Sequence, residues 1–472
     1  MINDLKPYPA TKDSGVPWLG EVPKHWEALP ALAAYRPRQV KNIGLIEKTV
    51  LSLSYGRIIV KPPEKLRGLV PESFETYQIV DPGNIIVRTT DLQNDHTSLR
   101  IGHSQHRGII TSAYMCLETT AQVSNEFGYQ FLNAYDLLKI IYGYGSGLRQ
   151  NLDFSHIKRM PVLIPPLKEQ SAIVRFLDHA DRRIRRHIRA KQKLIKLLEE
   201  QKQAIIHRAV TRGLGPSVRL KPSGVEWLGE VPEHWVLKRF KFLARVTSGQ
   251  VDPRTPTQRG KILVAPNHIK SGTGKIIYQE TANEQGADSG KYEVREGQII
   301  YSKIRPNLRK AAIAPMDCLC SADMYPIAVR EGEMRSAYLL LLLLSAPFTK
   351  YAVDCSLRVA MPKVNREALG ECWCWYPGLE EQDAILRFVA QACEPSDLAI
   401  TRAEREISLL REYRTCLIAD VVTGKLDVRA AAAKLPDETD ESEPLDGAEA
   451  LAEGDEETED ADLDAVPEEA GA

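Results

Sequence analysis

The sequence predicts an α+β protein built as a pseudo-twofold tandem repeat, in which two mixed α/β domains are separated by two long helices forming an antiparallel coiled coil. Three observations predict it. A 13-residue motif occurs twice, a second motif opening a long amphipathic run also occurs twice, and short β-rich segments fill the intervals. At 472 residues the chain exceeds what one hydrophobic core usually serves, so more than one domain is expected on length alone.

The repeats come first because a missed repeat misassigns the whole fold. Residues 14–26 read SGVPWLGEVPKHW and residues 223–235 read SGVEWLGEVPEHW, differing only at Pro17/Glu226 and Lys24/Glu233. PPLKEQSAIVRFL from Pro165 matches PGLEEQDAILRFV from Pro377, and the match continues at the same offset through AIIHRAVTRGL from Ala204 and CLIADVVTGKL from Cys416. Weaker echoes lie between, GNIIVRTTD from Gly83 beside GQIIYSKIRP from Gly297 and TSAYM from Thr111 beside CSADM from Cys320. The expected order is a first domain over 1–160, a helix over 161–215, a second domain over 216–372, a second helix over 373–429, and an acidic disordered tail over 430–472.

The helical assignment rests on spacing. Ile173, Leu177, Ala180, Ile184, His187, Leu194, Leu198 and Ile205 recur every three or four residues, interrupted by Lys191 and Gln201. Pro165 and Pro166 suit the approach to a helix, and Gly213, Gly215 and Pro216 its end. The second copy keeps the face with Ile385, Val389, Ala392, Ala399, Ile407, Leu410 and Leu417, but Pro395 predicts a break or kink, with Ser396 or Asp397 capping a restart. Two such rods in one chain most simply pair with each other. The intervening NIIVRT, GIITSAYM, KILVA, QIIYSKI and YPIAV, punctuated by Gly, Pro and Asn, read as short strands of mixed domains.

A formal net charge of −1 conceals an asymmetry. The last 38 residues hold 17 of the 63 acidic residues and no Lys or Arg, so the preceding 434 carry 62 basic against 46 acidic residues, an excess of sixteen positive charges. A basic body points to a polyanionic partner. No run of about 18 uncharged apolar residues occurs, the longest candidate being Tyr338 to Ser345, and the N-terminus lacks a signal-peptide stretch, so a cytoplasmic protein without membrane contact is expected. Eight scattered cysteines do not make a disulfide scaffold.

Catalytic signatures are missing. Ile164-Pro165-Pro166-Leu167 is the nearest approach to an Asn-Pro-Pro-Tyr methyl-transfer motif and lacks its amide and ring. SGTGKI from Ser271 lacks the spacing of a phosphate loop and reads as a turn. Cys318-Leu-Cys320 and Cys372-Trp-Cys374 have one intervening residue instead of the two to four usual for zinc, so buried thiols, no metal and no cofactor are expected. The informative side chains are those that bind phosphates and base edges. In the first domain these are Arg88, Thr90, Gln93, Asn94, Arg100, Arg149 and Gln150, and in the second Lys303, Arg305, Asn307, Arg309, Arg358 and Lys363.

With the repeats in hand, the sequence resembles the DNA-specificity subunits of type I restriction-modification systems over about residues 14–429. The carriers are the doubled SGV-WLGEVP-HW motif and the doubled P-L-EQ helix start; TDLQND from Thr90 and SKIRPNLRK from Ser302 resemble stretches of their recognition domains. The resemblance implies two target-recognition domains held apart by an antiparallel helix pair, a non-catalytic role in reading a bipartite asymmetric sequence in double-stranded DNA, and a complex with two modification subunits and two restriction (motor-nuclease) subunits. Leu177, Ile184, Leu194, Leu198, Ile205, Ile407, Leu410 and Leu417 are the expected coiled-coil or partner contacts. A stand-alone methyltransferase or restriction enzyme is disfavoured by the missing motifs, and a coiled-coil scaffold leaves the two basic domains unexplained.

One expectation follows from composition alone. Deleting the residues beyond Leu435 leaves the melting temperature of the body unchanged and keeps or raises its non-specific DNA affinity at low salt, because 17 negative charges leave with them. Thermal melts and low-salt titrations with random-sequence duplex check both halves.

Overall fold

A computed structural model of the chain describes residues 5–62, 73–90, 92–93, 95, 98–145, 151–330, 332–356 and 362–436. They fall into two compact units, the first formed by residues up to 190 together with those from 406 onward, the second by residues 191–405. Each long helix is therefore shared: Leu167–Arg212 gives its first part to the first unit and its remainder to the second, and Leu379–Val422 does the reverse.

In the first unit a four-stranded antiparallel sheet has the spatial order Tyr35–Arg38, Tyr114–Thr119, Ile85–Arg88, Ile101–His103. The helix Asn125–Leu137, capped by Ser124, packs Phe127, Phe131 and Leu132 into the core below it. The lead-in motif delivers the chain to strand Glu27–Pro30, which pairs antiparallel with Pro161–Ile164. Residues 161–164, expected within the first helix, are thus strand; their PVLI sequence is β-prone, and the helix begins only at Leu167, past Pro165 and Pro166. Ile173, Phe176, Leu177 and Ala180 of the first helix share this core with Leu417, Ile418, Val421 and Val422 of the second, and Asp181 pairs with Arg414, so the two helix segments run antiparallel.

The second unit repeats the plan. Its sheet order is Ala244–Val246, Met324–Val329, Ile299–Ser302, Ala311–Ile313, and Val236–Arg239 pairs with Trp373–Tyr376 as its counterpart does. Residues 373–376 are likewise strand, and the second helix starts at Leu379. Ala209 and Val210 share a core with Ile385, Val389 and Cys393, and Lys202 meets Asp397 at 2.6 Å, again antiparallel. The apolar stretch around Tyr338 forms the helix Ser336–Leu343, with Tyr338, Leu339, Leu342 and Leu343 buried. SGTGKI is a turn closed by an Ile269–Ile276 bridge. Among the described residues no single helix is long and apolar enough to cross a membrane.

The helix seams differ from the expected face by one residue in places. His187 and Leu194 lie on the exposed side, Leu194 at 45 % exposure, and Ile188 and Ile195 take the inward positions. Leu177 and Ile184 are buried, with Leu198 and Ile205 half-buried. In the second helix Cys393 and Ile400 replace Ala392 and Ala399, giving a seam of Val389, Cys393, Ser396, Ile400, Ala403 and Ile407, with Leu410 half-buried and Leu417 buried. This seam explains why Pro395 does not break the helix. Pro395 is exposed, and the carbonyl it frees, on Gln391, belongs to an exposed residue that water can satisfy. Asp397 binds Lys202 and Lys275 and caps nothing. The tail also begins later than expected: Ala432 and Leu435 are buried, and Arg175 donates to the carbonyls of Leu435 and Pro436.

The doubled Glu-Gln has a structural reason. The Gln170 amide nitrogen donates to the carbonyls of Gln122 and Pro165, 2.8 Å each, and its oxygen accepts from Ser124 N–H at 2.8 Å. Gln382 does the same with Glu333, Pro377 and Arg335 at 2.8–2.9 Å. Ser124 and Arg335 are the N-caps of the equivalent helices beneath the sheets. The preceding glutamates serve the lead-in motifs: Glu169 accepts from Tyr8 and His25, and Glu381 from His234 and the Trp235 indole. Trp26 and Trp235 are buried against glycines that end the helices: a Cβ on Gly424 would lie 3.0 Å from the Trp26 ring and 2.3 Å from Pro23, and one on Gly213, at φ +71°, would lie 3.5 Å from the Trp235 ring.

Replacing either glutamine by alanine strands three backbone groups, one of them buried and two part-buried. Gln170→Ala and Gln382→Ala are each expected to lower the stability of the unit that contains them by about 2–4 kcal/mol. Urea unfolding, followed by hydrogen exchange to separate the two units, measures this, and a loss under about 1 kcal/mol would show that water replaces the amide.

Candidate nucleic-acid interface

The expected DNA-reading residues that can be placed gather at one structural position in each unit. Residues 89–100 connect the third and fourth strands of the first sheet, and residues 303–310 connect the third and fourth strands of the second. In both units the chain approaching the last small helix returns beside this connection: Leu152 N–H donates to Thr89 at 2.9 Å, and Val364 N–H donates to Lys303 at 2.8 Å. Asn94, Arg149, Gln150 and Arg358 lie outside the described residues.

In the second unit the connection is stiff. Arg305 (φ 46°, ψ 60°) and Arg309 (φ 49°, ψ 47°) both take the left-handed conformation on either side of the short turn Pro306–Leu308, whose Pro306 is buried. Non-glycine residues hold that geometry only where the surroundings over-determine it. Here Arg305 N–H donates to Pro362, Ser302 N–H to Lys310, and Ile304 bridges Lys363. Arg305, Asn307 and Lys363 are exposed together on this edge. Lys303 is engaged, donating to the Ala322 carbonyl at 2.6 Å with its ammonium over the Tyr325 ring. Arg309 is turned to the first long helix, donating to Gln203 at 3.2 Å, and fastens the connection to that helix.

The first unit's connection is organised from inside by Arg100, and here the sequence expectation is corrected. Arg100 is fully buried: its guanidinium donates to the Tyr142 hydroxyl (3.0 Å), the Thr90 carbonyl (2.6 Å) and the Asp95 carbonyl (2.7 Å), and it stacks over the Tyr142 ring. A side chain with no exposed surface cannot meet a base, so Arg100 shapes the loop that carries Thr90 and Gln93. Burial pushes the Asp95 carboxyl up, but Ser98 and the charges of Arg88 and Arg100 outweigh it and leave the carboxyl below the usual range. Arg88, one-third exposed and 3.3 Å from Asp95, and Gln93, exposed, face solvent.

Sequence reading missed Arg366. It is exposed, its guanidinium lies over the rings of Tyr325 and Tyr292, and it follows Lys363 by three residues. Only the fold brings those two tyrosines to it. The paired cysteines are buried in or next to strands, and burial pushes the Cys318 and Cys374 thiols up to about 11 and about 12, with Cys320 and Cys372 higher still. Among the described residues no group of three or more His, Cys, Asp or Glu side chains could hold a metal ion.

Comparison with known proteins agrees with this architecture. Residues 74–196 match the family described as Type I restriction modification DNA specificity domain. The chain is 30 % identical over 285 residues to the type I restriction enzyme EcoDI specificity subunit of Escherichia coli, covering 57 % of this chain and 63 % of that protein. It is 21 % identical over 295 residues to the MjaVIII specificity subunit of Methanocaldococcus jannaschii, covering 60 % and 66 % respectively. The chain thus spans just under two thirds of the length of these relatives. In fold it is similar to a chain from a structure described as "Structural basis underlying complex assembly and conformational transition of the type I R-M system", with a TM-score of 0.58 at 13 % identity, over 86 % of this chain and 99 % of that one. In sequence the chain is therefore similar to type I restriction-modification specificity subunits over somewhat more than half of its length.

Arg100→Ala removes the buried charge and takes the guanidinium donor from the Thr90 carbonyl, the Asp95 carbonyl and the Tyr142 hydroxyl. A loss of about 3–5 kcal/mol in the first unit is expected, with Arg100→Lys recovering only part because an ammonium cannot reach all three acceptors. An unchanged melting temperature together with lost DNA affinity would return Arg100 to the interface.

Proposed function

We propose that this chain is the non-catalytic, sequence-specific DNA-binding subunit of a type I restriction-modification complex, each unit reading one half of a bipartite, asymmetric target. The observation that carries the reading is the placement of the third-to-fourth-strand connections. Two units of the same plan present them at the same sheet edge, and each bears Arg or Lys beside Asn or Gln, the residue types that read guanine and adenine edges. The connections have diverged between the repeats while the glutamine clamps have not, which suits two different half-sites on one scaffold. A body with sixteen excess positive charges supplies the sequence-independent attraction.

The reading includes partners. Methyl transfer, cleavage and translocation belong to two modification and two restriction subunits, and the chain alone turns over no substrate. Leu194 and Leu197, 45 % and 53 % exposed on the first helix, are apolar positions on which a helix of a modification subunit can dock. Arg88, Thr90, Gln93, Asn94, Arg149 and Gln150 serve one half-site, and Arg305, Asn307, Arg358 and Lys363 the other.

Mapping methylated positions in cells that carry this gene with its modification partner defines the target. Against that target, Arg305→Ala and Arg149→Ala are each expected to cost about 1–3 kcal/mol and relax one half-site only. Lys363→Ala, as a phosphate contact, weakens all sequences evenly and lowers the salt slope by about one. Equal affinity of the unsubstituted complex for mapped and scrambled duplexes would overturn the reading.

A further inference from the structure

Residues 51–60 read LSLSYGRIIV, and strands Leu51–Ser54 and Arg57–Val60 pair from Leu51↔Val60 to Ser54↔Arg57, leaving Tyr55 and Gly56 as a two-residue turn. Both turn residues have positive φ, 45° and 75°, the type I′ geometry whose first position favours Asn, Asp or Gly. Tyrosine there bears the steric cost of the left-handed region. The ring does not recover that cost by burial, since Tyr55 is 47 % exposed. A large aromatic held in a strained turn and turned out to solvent is the kind of outlier that clusters at functional sites.

Its neighbours place the turn. A Cβ on Gly56 would lie 3.2 Å from the Leu99 side chain and 3.5 Å from the Ile101 carbonyl. One on Gly102 would lie 2.5 Å from Leu53 and 2.9 Å from Ile58. The hairpin therefore packs along strand Ile101–His103 with its tip at the start of that strand, where the 89–100 connection ends. The turn therefore lies beside the end of the connection that carries Thr90 and Gln93. No two-residue hairpin occupies the corresponding place among the described residues of the second unit.

We propose that the tip of this hairpin enters a groove of the duplex beside the 89–100 connection, with the Tyr55 ring against a base of the first unit's half-site, making Tyr55 a specificity-determining residue. The assignment rests on the DNA-reading function proposed above. The major groove admits a two-stranded ribbon, and an aromatic ring suits the thymine methyl group or the face of a partly unstacked base. Arg57, next to the turn, supplies a cation of the type that positions such a ribbon on phosphates.

The test uses the full chain in complex with its modification subunit and a duplex of the mapped target. Tyr55→Asn keeps a residue that tolerates the turn, so the melting temperature should hold or rise. Affinity for the mapped duplex should fall roughly tenfold to a hundredfold, with relaxed discrimination in the first unit's half-site alone, and Tyr55→Phe should bind as the unsubstituted protein does. Each pyrimidine of the target is also replaced in turn by its 5-iodo counterpart and irradiated in the unsubstituted complex, a readout independent of how the variants fold. An adduct on Tyr55 supports the assignment. Unaltered half-site discrimination in Tyr55→Asn, or adducts confined to other peptides, overturns it while leaving the DNA-reading function standing. Failure of the unsubstituted complex to tell mapped from scrambled duplex overturns both.

Discussion

Each unit hangs on one buried side-chain amide. Gln170 and Gln382 occupy the point where a strand ends, a long helix begins and the helix under the sheet receives its cap, and each amide bonds once to the proline between strand and long helix and twice to the chain entering the capped helix. A buried amide bonded on both its atoms tolerates little displacement, because any shift strands a donor or an acceptor in a dry environment. With the glutamine fixed, the glutamate before it is aimed at the histidine of the lead-in motif, and the strand leaving that motif pairs with the one that feeds the helix. Sheet, helix and lead-in are thereby locked by two consecutive residues.

That rigidity suits the proposed role in reading DNA. Base recognition depends on donors and acceptors held within a fraction of an ångström, and a loop between two strands of a clamped sheet meets that demand better than a free loop. The two units stiffen the same connection by different means. One uses a buried arginine bonded to the loop's own carbonyls; the other uses two left-handed arginines held between flanking backbone bridges. The scaffold is repeated while the means of shaping the loop is not, which fits the proposed reading of two different half-sites.

The sequence revealed the repeat, the strand-rich domains and the helix pair, because duplication and three-four spacing are one-dimensional signals. It placed the helix starts too early, since PVLI and WCWY carry no mark that separates a strand from the first turn of a helix except the prolines or glycine that follow. It expected a break or kink at Pro395, where the helix runs on unbroken, since the exposure that makes a proline tolerable belongs to the packed pair. It ranked Arg100 with the surface arginines because nothing in the sequence shows that Tyr142 closes over it. The hairpin at Tyr55 went unread, because an aromatic stands where a two-residue turn favours asparagine.

The partition of the two helices has a consequence for how the chain is made. The second unit is one continuous stretch, residues 191–405, whereas the first needs Leu417, Val421 and Val422 to complete a core that its residues begin near position 8. On the ribosome the unit begun first is therefore finished last. At about 5–20 residues per second, some 230 residues of synthesis hold its core open for roughly 10–50 s after its own helix has emerged. During that interval Ile173, Phe176 and Leu177 stand without the segment that covers them, so the nascent chain exposes apolar surface that the finished protein buries.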